Sequence, residues 1–537
     1  MNLSISSDWS SAYFRSVAWL LGFAVVVPAL HAVNSPNILF IAADDLKPVL
    51  GCYGDSVIKT PNIDRLAARG TVFLQNYCQQ AVCGPTRASL MTGKRPDHTK
   101  VWDLKTRMRD INPDIVTLPQ YLAQRGYVTA GVGKIYDPRC IDNAKDQDKP
   151  SWSVPYLDIP DRFYFKHQPP ALGYYQDPAT RQRVLKLEAE ARIKGLKQKE
   201  ARDYVANGVK PSIENVDLPD NAYKDGAMAD RAVEMMATLA KTKQQFFLAV
   251  GFARPHLPFV APKKYWDLYR RDEIPLAKFQ QHARTSPNLA YHNSGELLAY
   301  TDIPPLTRFT DVKTNGIGLP AEKQRELIHG YYAAVSYIDA QVGKLLDALE
   351  AQGLAQNTIV VLWGDHGWHL GDHDLWCKHT NFEQATRAPL LISAPGFASG
   401  KTASVSEFVD IFPTLCELSG VRTPAGLDGK SLVPLMRDPA ASVGDFAVSQ
   451  YPHEGKMGYS IRTRSHRLTW WMASGFRSDQ PFSPAQVVAR ELYDYEKDPL
   501  ETANVVDEKA YQGLAADLSE KMTTFFAGQR AAARPNL

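Results

Sequence analysis

Four short apolar runs, each ending abruptly in charge, restrict this chain's fold more than any other feature of its sequence. "NILFIAADD" (37–45) ends in Asp44 and Asp45, and "YVTAGVGK" (127–134) ends in Lys134. "FFLAVGFARPH" (246–256) ends in Arg254 and His256, and "TIVVLWGDHGW" (358–368) carries Asp365 and His366. Continuous apolar runs of this length suit strands covered on both faces, the situation of parallel strands in an α/β sheet. Helical patterns lie between them. In "YYAAVSYIDAQVGKLLDALEAQG" (331–353), Val335, Ile338, Val342, Leu345, Leu346 and Leu349 share one face, and Gly353 is a stop. Alternating strand and helix predict an α/β fold with helices on both sides of the sheet and ligands beyond the strands' carboxyl ends. A single charge at a strand end is ordinarily a solvated loop residue. Two aspartates, an Asp-His pair, a lysine and a histidine at four such ends predict an active site.

A chain of 537 residues leaves room for a second, smaller domain. The strand–helix rhythm stops near 440, and "ELYDYEKDPLETANVV" (491–506) reads as a strand, a turn and a helix start. The expected division is therefore a main domain at 33–440 and a C-terminal α+β subdomain at 441–537. Residues 140–225 break the rhythm earlier and read as an insertion, with "RQRVLKLEAEARIKGLKQKEARDYV" (181–205) as one exposed helix. That insertion is either a wall of the substrate cleft or a surface excursion without a role. Lys and Arg number 61 against 58 Asp and Glu, so no nucleic-acid-binding surface is expected and any bound anion must be held locally.

The N-terminus differs from the rest. Arg15 precedes "VAWLLGFAVVVPAL" (17–30), too short for the ~20 residues that span a bilayer, with small residues at its end, Ala29, and just beyond it, Ala32. This predicts a secretory signal at 1–32, cut after Ala32, and an exported, periplasmic or secreted protein with no stable membrane span. The six cysteines show no CxxC spacing, so a zinc or iron–sulfur site is unsupported.

Asp44, Asp45, Asp365 and His366 would form a compact acidic nest. Carboxylates this close call for a cation, and hard oxygen donors favour Ca²⁺ or Mg²⁺; the plainer reading is strand-end aspartates capping the next helix. "AVCGPTRASLMTGKRPD" (81–97) adds Cys83 ahead of Pro85, a residue suited to a helix's first turn. Residue 83 then stands at a helix N-terminus, where partial positive charge suits an anion, with Arg87 one turn along. Taken alone, Cys83 could be packing, half a disulfide, a thiolate nucleophile or a precursor.

Cys-x-Pro-x-Arg followed by "ASLMTGKRP" resembles the signature of type I sulfatases. The segments "ADDLKPVLGCYGD", "TPNIDRLAARG", "GKIY", "RPHLPF", "GDHGWHLGDHDLWCKHTNFEQATRAPLLI", "VDIFPTLCELSGV", "LDGKSLVPLM" and "ELYDYEKDP" resemble its iduronate-2-sulfatase-like branch, in the same order. The resemblance implies an alkaline-phosphatase-like, mixed and mostly parallel sheet sandwiched by helices. It implies that Cys83 is oxidised to formylglycine (3-oxoalanine) by a formylglycine-generating or anaerobic sulfatase-maturating enzyme, and that the hydrated aldehyde attacks a sulfate ester. Asp44, Asp45, Asp365 and His366 would then hold Ca²⁺, or Mg²⁺, together with matured residue 83. Arg87, Lys134 and Lys378 would stabilise that residue and the sulfate oxygens, and His256 would bind sulfate and protonate the leaving oxygen. The implied substrate is a sulfated carbohydrate, either 2-O-sulfated uronic acid or a related sulfated polysaccharide.

One departure stands out. Where the branch has a histidine shortly after the lysine of "GK", this chain has Asp137, which leaves the base unassigned. Two rival readings follow: a sulfated-glycan-binding relic with little turnover, and a phosphatase or phosphodiesterase on the same scaffold. Trp368, His369, Trp376 and His379 either stack on a sugar or pack beneath the sheet edge.

Overall fold

The computed structural model describes residues 35–141, 147–157, 167–304, 318–473 and 483–533. The expected signal at 1–32 lies outside the described residues. Seven strands form the central sheet: β1 (Asn37–Asp44), β2 (Thr71–Tyr77), β3 (Val128–Gly133), β4 (Phe246–Pro255), β5 (Thr358–Gly364), β6 (Leu390–Ser393) and β7 (Gly400–Glu407). Their order is β7-β2-β6-β5-β1-β4-β3. β1 runs parallel to β4 and β5, and β3 runs parallel to β4, so the four apolar runs become four contiguous strands. β6 runs antiparallel to β5 and β2, which makes the sheet mixed but mostly parallel.

Every residue of β1 is buried. Leu39, Ile41 and Ala43 enter the core on one face, and Ile38, Phe40 and Ala42 enter the core on the other. Burying one large aliphatic side chain contributes roughly 1.5–3 kcal/mol, so a two-faced strand of this composition anchors the sheet.

The helix α1 (Cys83–Thr92) is wholly buried and ends at Gly93, whose positive φ of 64° closes its last turn. The exposed helix expected over 181–205 is instead two, α2 (Pro178–Ile193) and α3 (Gln198–Gly208). Gly195 between them takes φ +67°, and Val184, Leu187 and Val205 then close a small core of their own. The helix read at 331–353 is α4 (Ala321–Ala351), which starts ten residues earlier because Leu327 and Ile328 extend its buried face back to Pro320.

Beyond the central sheet, β8 (Ala447–His453), β9 (Lys456–Arg462), β10 (His466–Met472) and β11 (Val487–Asp494) form an antiparallel sheet. Leu468, Trp470 and Leu492 pack against Leu518, Met522 and Phe526 of α5 (Gln512–Ala533). No helix starts within 491–506: the Asp498 carboxylate accepts from the Thr502 and Ala503 amides, which fixes a turn there. Glu383 ties this smaller domain to the main one, since Arg462 and Arg467 both donate to its carboxylate. Among the described residues, no helix is long and apolar enough to cross a membrane.

Candidate active site

Strand register brings the charged strand ends together. Ala43 of β1 pairs with Gly364 of β5, and the Asp45 amide donates to Asp365 Oδ1 at 2.9 Å. An irregularity between Ala43 and Asp44 shifts the other side of β1, so that Asp44 faces Pro255, next to His256. On β4, Gly251 lies against Lys134: the Lys134 amide donates to the Gly251 carbonyl at 2.8 Å, and a Cβ at Gly251 would collide with the Lys134 backbone.

α1 points its first residue into this nest. Cys83 Sγ lies 3.4 Å from His366 Nε2 and 3.9 Å from Asp45 Oδ1. One ligand atom from each of Asp45, Cys83, Asp365 and His366 falls within 4.8 Å of the others, and all four residues are buried. Asp44 belongs to a neighbouring group with Asp45 and His256. Three buried carboxylates facing an imidazole fit a hard divalent cation, and the soft Cys83 sulfur is the one poorly matched donor. Burial, reinforced by the Asp44 charge, pushes the Cys83 thiol well above its ordinary pKa, so the unmodified side chain is a thiol and a poor nucleophile. All six cysteines are free, which removes the disulfide alternative for Cys83.

The cations surround these acids. Arg87, with no exposed surface, donates through Nε to Asp365 and through Nη2 to Asp44, each at 3.0 Å. Its Nη1 holds the Lys134 and Ile135 carbonyls at 2.6 and 2.9 Å. Lys134 Nζ reaches Asp44 Oδ2 at 2.5 Å, and Lys378 Nζ reaches both Asp45 oxygens at 3.0 and 3.1 Å. Burial alone would raise the Asp44 pKa, but Lys134 and Arg87 outweigh it and hold that carboxyl well below its ordinary range. Asp45 goes the other way: its burial exceeds what His256 and Lys378 return. For His256, burial opposes the charged form, yet Asp45 and Glu296 outweigh that and raise its pKa.

A protein-family model described as "Sulfatase" matches residues 36–421. The chain belongs to the sulfatase family. It is a sulfuric ester hydrolase. A second model, "N-sulphoglucosamine sulphohydrolase, C-terminal", matches residues 371–527. Iduronate 2-sulfatase of Mus musculus is 31% identical over 553 residues, covering 91% of this chain and 94% of the mouse protein. One solved structure, in complex with its substrate D-glucosamine-2-N,6-O-disulfate, has TM-score 0.68 at 21% identity, covering 94% of this chain and 100% of that one. The phosphonate monoester hydrolase of Agrobacterium radiobacter has TM-score 0.64 at 22% identity, covering 92% of this chain and 96% of that one. Such distant likeness establishes the fold only.

In this sulfatase a cavity of about 950 Å³ opens over Cys83, Asp44, Lys134, His256 and Lys378. The insertion supplies part of its wall through Pro169, Pro170, Leu172, Tyr174 and Arg202. Trp368, His369 and Trp376 are at most 1% exposed and pack beneath the site, so they do not stack on a sugar; His379 does line the cavity. Sequence reasoning missed Glu296. Its carboxylate lies 2.8 Å from His256 Nε2 and 3.0 Å from Lys378 Nζ. Glu296 sits in an irregular stretch, 82 residues before Lys378, so no local pattern marks it. Asp137 is clasped by Arg139 through two N–H groups at 2.9 and 2.8 Å. Although burial opposes ionisation, Arg139 and Lys134 hold the Asp137 pKa at about 2. A carboxylate that acidic and that well paired is a poor proton acceptor.

Proposed function

We propose that this sulfatase is an exported enzyme that hydrolyses sulfate esters of carbohydrates, with 2-O-sulfated uronic acid as the preferred unit. One observation carries the reading: Cys83 opens a buried helix with its Sγ against His366 and Asp45, in a nest of carboxylates and cations. Likeness to iduronate 2-sulfatase over nine-tenths of the chain supports the choice of sugar. Oxidised by a maturation enzyme to formylglycine, residue 83 would supply a hydrated aldehyde as the nucleophile toward sulfur. A divalent ion, Ca²⁺ ahead of Mg²⁺, would be held by Asp44, Asp45, Asp365, His366 and residue 83, and would supply positive charge beside that nucleophile.

The chain's own side chains account for the remainder. Arg87 spans Asp44 and Asp365 and so fixes the spacing of two ligands. Lys134 and Lys378 present ammonium groups to the cavity and oppose the charge that builds on the sulfate oxygens. His256 has Nδ1 at 2.6 Å from the Leu257 carbonyl and Nε2 at 2.8 Å from Glu296, both acceptors, so the ring is set as a doubly protonated acid. It can deliver the Nε2 proton to a departing sugar oxygen.

The test is direct. Enzyme co-expressed with a maturation enzyme is expected to carry formylglycine at residue 83 by peptide mass spectrometry, and to release sulfate from 2-O-sulfated uronic acid units in a panel of defined sulfated sugars. Chelation is expected to abolish release, and Ca²⁺ to restore it better than Mg²⁺. Full activity with an intact Cys83 thiol, or formylglycine-bearing enzyme that releases no sulfate from any sugar, overturns the reading.

A further inference from the structure

The cavity carries more positive charge than one sulfate group needs. Six Lys and Arg side chains line it against three Asp and Glu among the described residues. Lys134 and Lys378 are bound to the ligand carboxylates, and Arg254 is committed to the His256 and Pro258 carbonyls. Arg139 is different. It sits on the loop that follows β3, its side chain is 54% exposed, and it lines the cavity together with Asp137. Asp137 takes its Nε and Nη2 hydrogens, and Nη1 makes no bond among the described residues. The loop is itself fixed from below, because Arg87 holds the Lys134 and Ile135 carbonyls. An arginine clamped by two of its nitrogens on a fixed loop has lost most of its rotamer freedom in advance.

We infer that Asp137 and Arg139 form a built anion holder for a second negative group of the substrate, most simply the carboxylate of a uronic acid. Asp137 thereby takes a positioning role in place of base chemistry, and Arg139 becomes a specificity-determining residue. Arg202, exposed on α3 at the same cavity, widens the positive field that such a group enters. The inference rests on the proposed sulfatase reaction for its substrate, but its test can be read without turnover.

Binding of a desulfated uronic-acid-terminated disaccharide, and of the same disaccharide reduced at the carboxyl group to an alcohol, would be measured by calorimetry on the full chain. The wild type is expected to bind the carboxylate form about tenfold more tightly, the size of one charge-assisted hydrogen bond. Arg139→Ala is expected to erase that preference, Arg139→Lys to restore part of it, and Asp137→Asn to weaken it while leaving a residue. With the matured enzyme, Arg139→Ala is expected to raise KM for the sulfated uronate at least tenfold more than for 4-nitrophenyl sulfate. Equal binding of acid and alcohol by the wild type overturns the inference, as does equal loss on both sulfate substrates. Should no sulfate be released while the carboxylate preference persists, the function proposal fails and the anion holder stands.

Discussion

His256 is where the chemistry depends most on one ring. Its two nitrogens face a carbonyl and a carboxylate, so the acid role proposed for it rests on geometry rather than on ring chemistry alone. A sugar alkoxide leaves poorly without a proton, whereas 4-nitrophenolate needs little help. His256→Ala is therefore expected to cost roughly 10²–10⁴ in kcat on a sugar sulfate and less than about tenfold on 4-nitrophenyl sulfate. Equal losses on both would assign the ring to sulfate binding instead. Arg87 gives a second residue-scale expectation. Lysine cannot reach Asp44, Asp365 and two carbonyls at once, so Arg87→Lys is expected to lower kcat by about 10²-fold or more and to destabilise the fold by roughly 3 kcal/mol. Activity assays and urea denaturation check the two halves separately. At this scale the sequence reading placed Asp44, Asp45, Lys134, Asp365 and His366 at strand ends, and the structure brings these side chains close together. The reading was weak for Glu296, whose partners are distant in the chain, and open for Asp137, whose role depends on Arg139.

Among elements, the contact between β3 and β4 positions the cation side of the site. Gly133 has φ +86°, and Gly251 leaves no room for a side chain against the Lys134 backbone. Gly251→Ala is expected to displace the loop that bears Lys134, with a stability loss of roughly 2–3 kcal/mol and a marked fall in kcat. A thermal melt together with sulfate release measures both; unchanged values would show that the loop can move at no cost. The four parallel strands were legible because burial on both faces demands continuous apolar residues. β2, β6 and β7 were not, since they lie toward the other side of the sheet and β7 leaves four of its first five residues part-exposed or exposed. The break between α2 and α3 was equally hidden, because Gly195 is tolerated within a helical pattern until a local core rewards the turn.

For the molecule as a whole, Glu383 joins the two sheets. Burial opposes its charge, but Arg462 and Arg467 outweigh that and bring its pKa from 4.5 to about 2. A depressed carboxylate adds stability above its unfolded pKa and loses it as pH falls through the folded value, here between about 4.5 and about 2. The contribution is on the order of 3 kcal/mol. Urea midpoints of wild type and Glu383→Gln are expected to differ at pH 6 and to converge toward pH 2; a constant gap would remove Glu383 as the cause. The amino-acid sequence alone determined the α/β class, the charged strand ends and the Cys-x-Pro-x-Arg segment, because periodicity, burial and local motifs are properties of neighbouring residues. The tertiary structure alone decided that Glu296 meets His256 and Lys378, that Arg139 clasps Asp137 and that the insertion walls the cavity. Those contacts depend on register and loop closure, which bring together side chains whose separation along the chain carries no periodic signal.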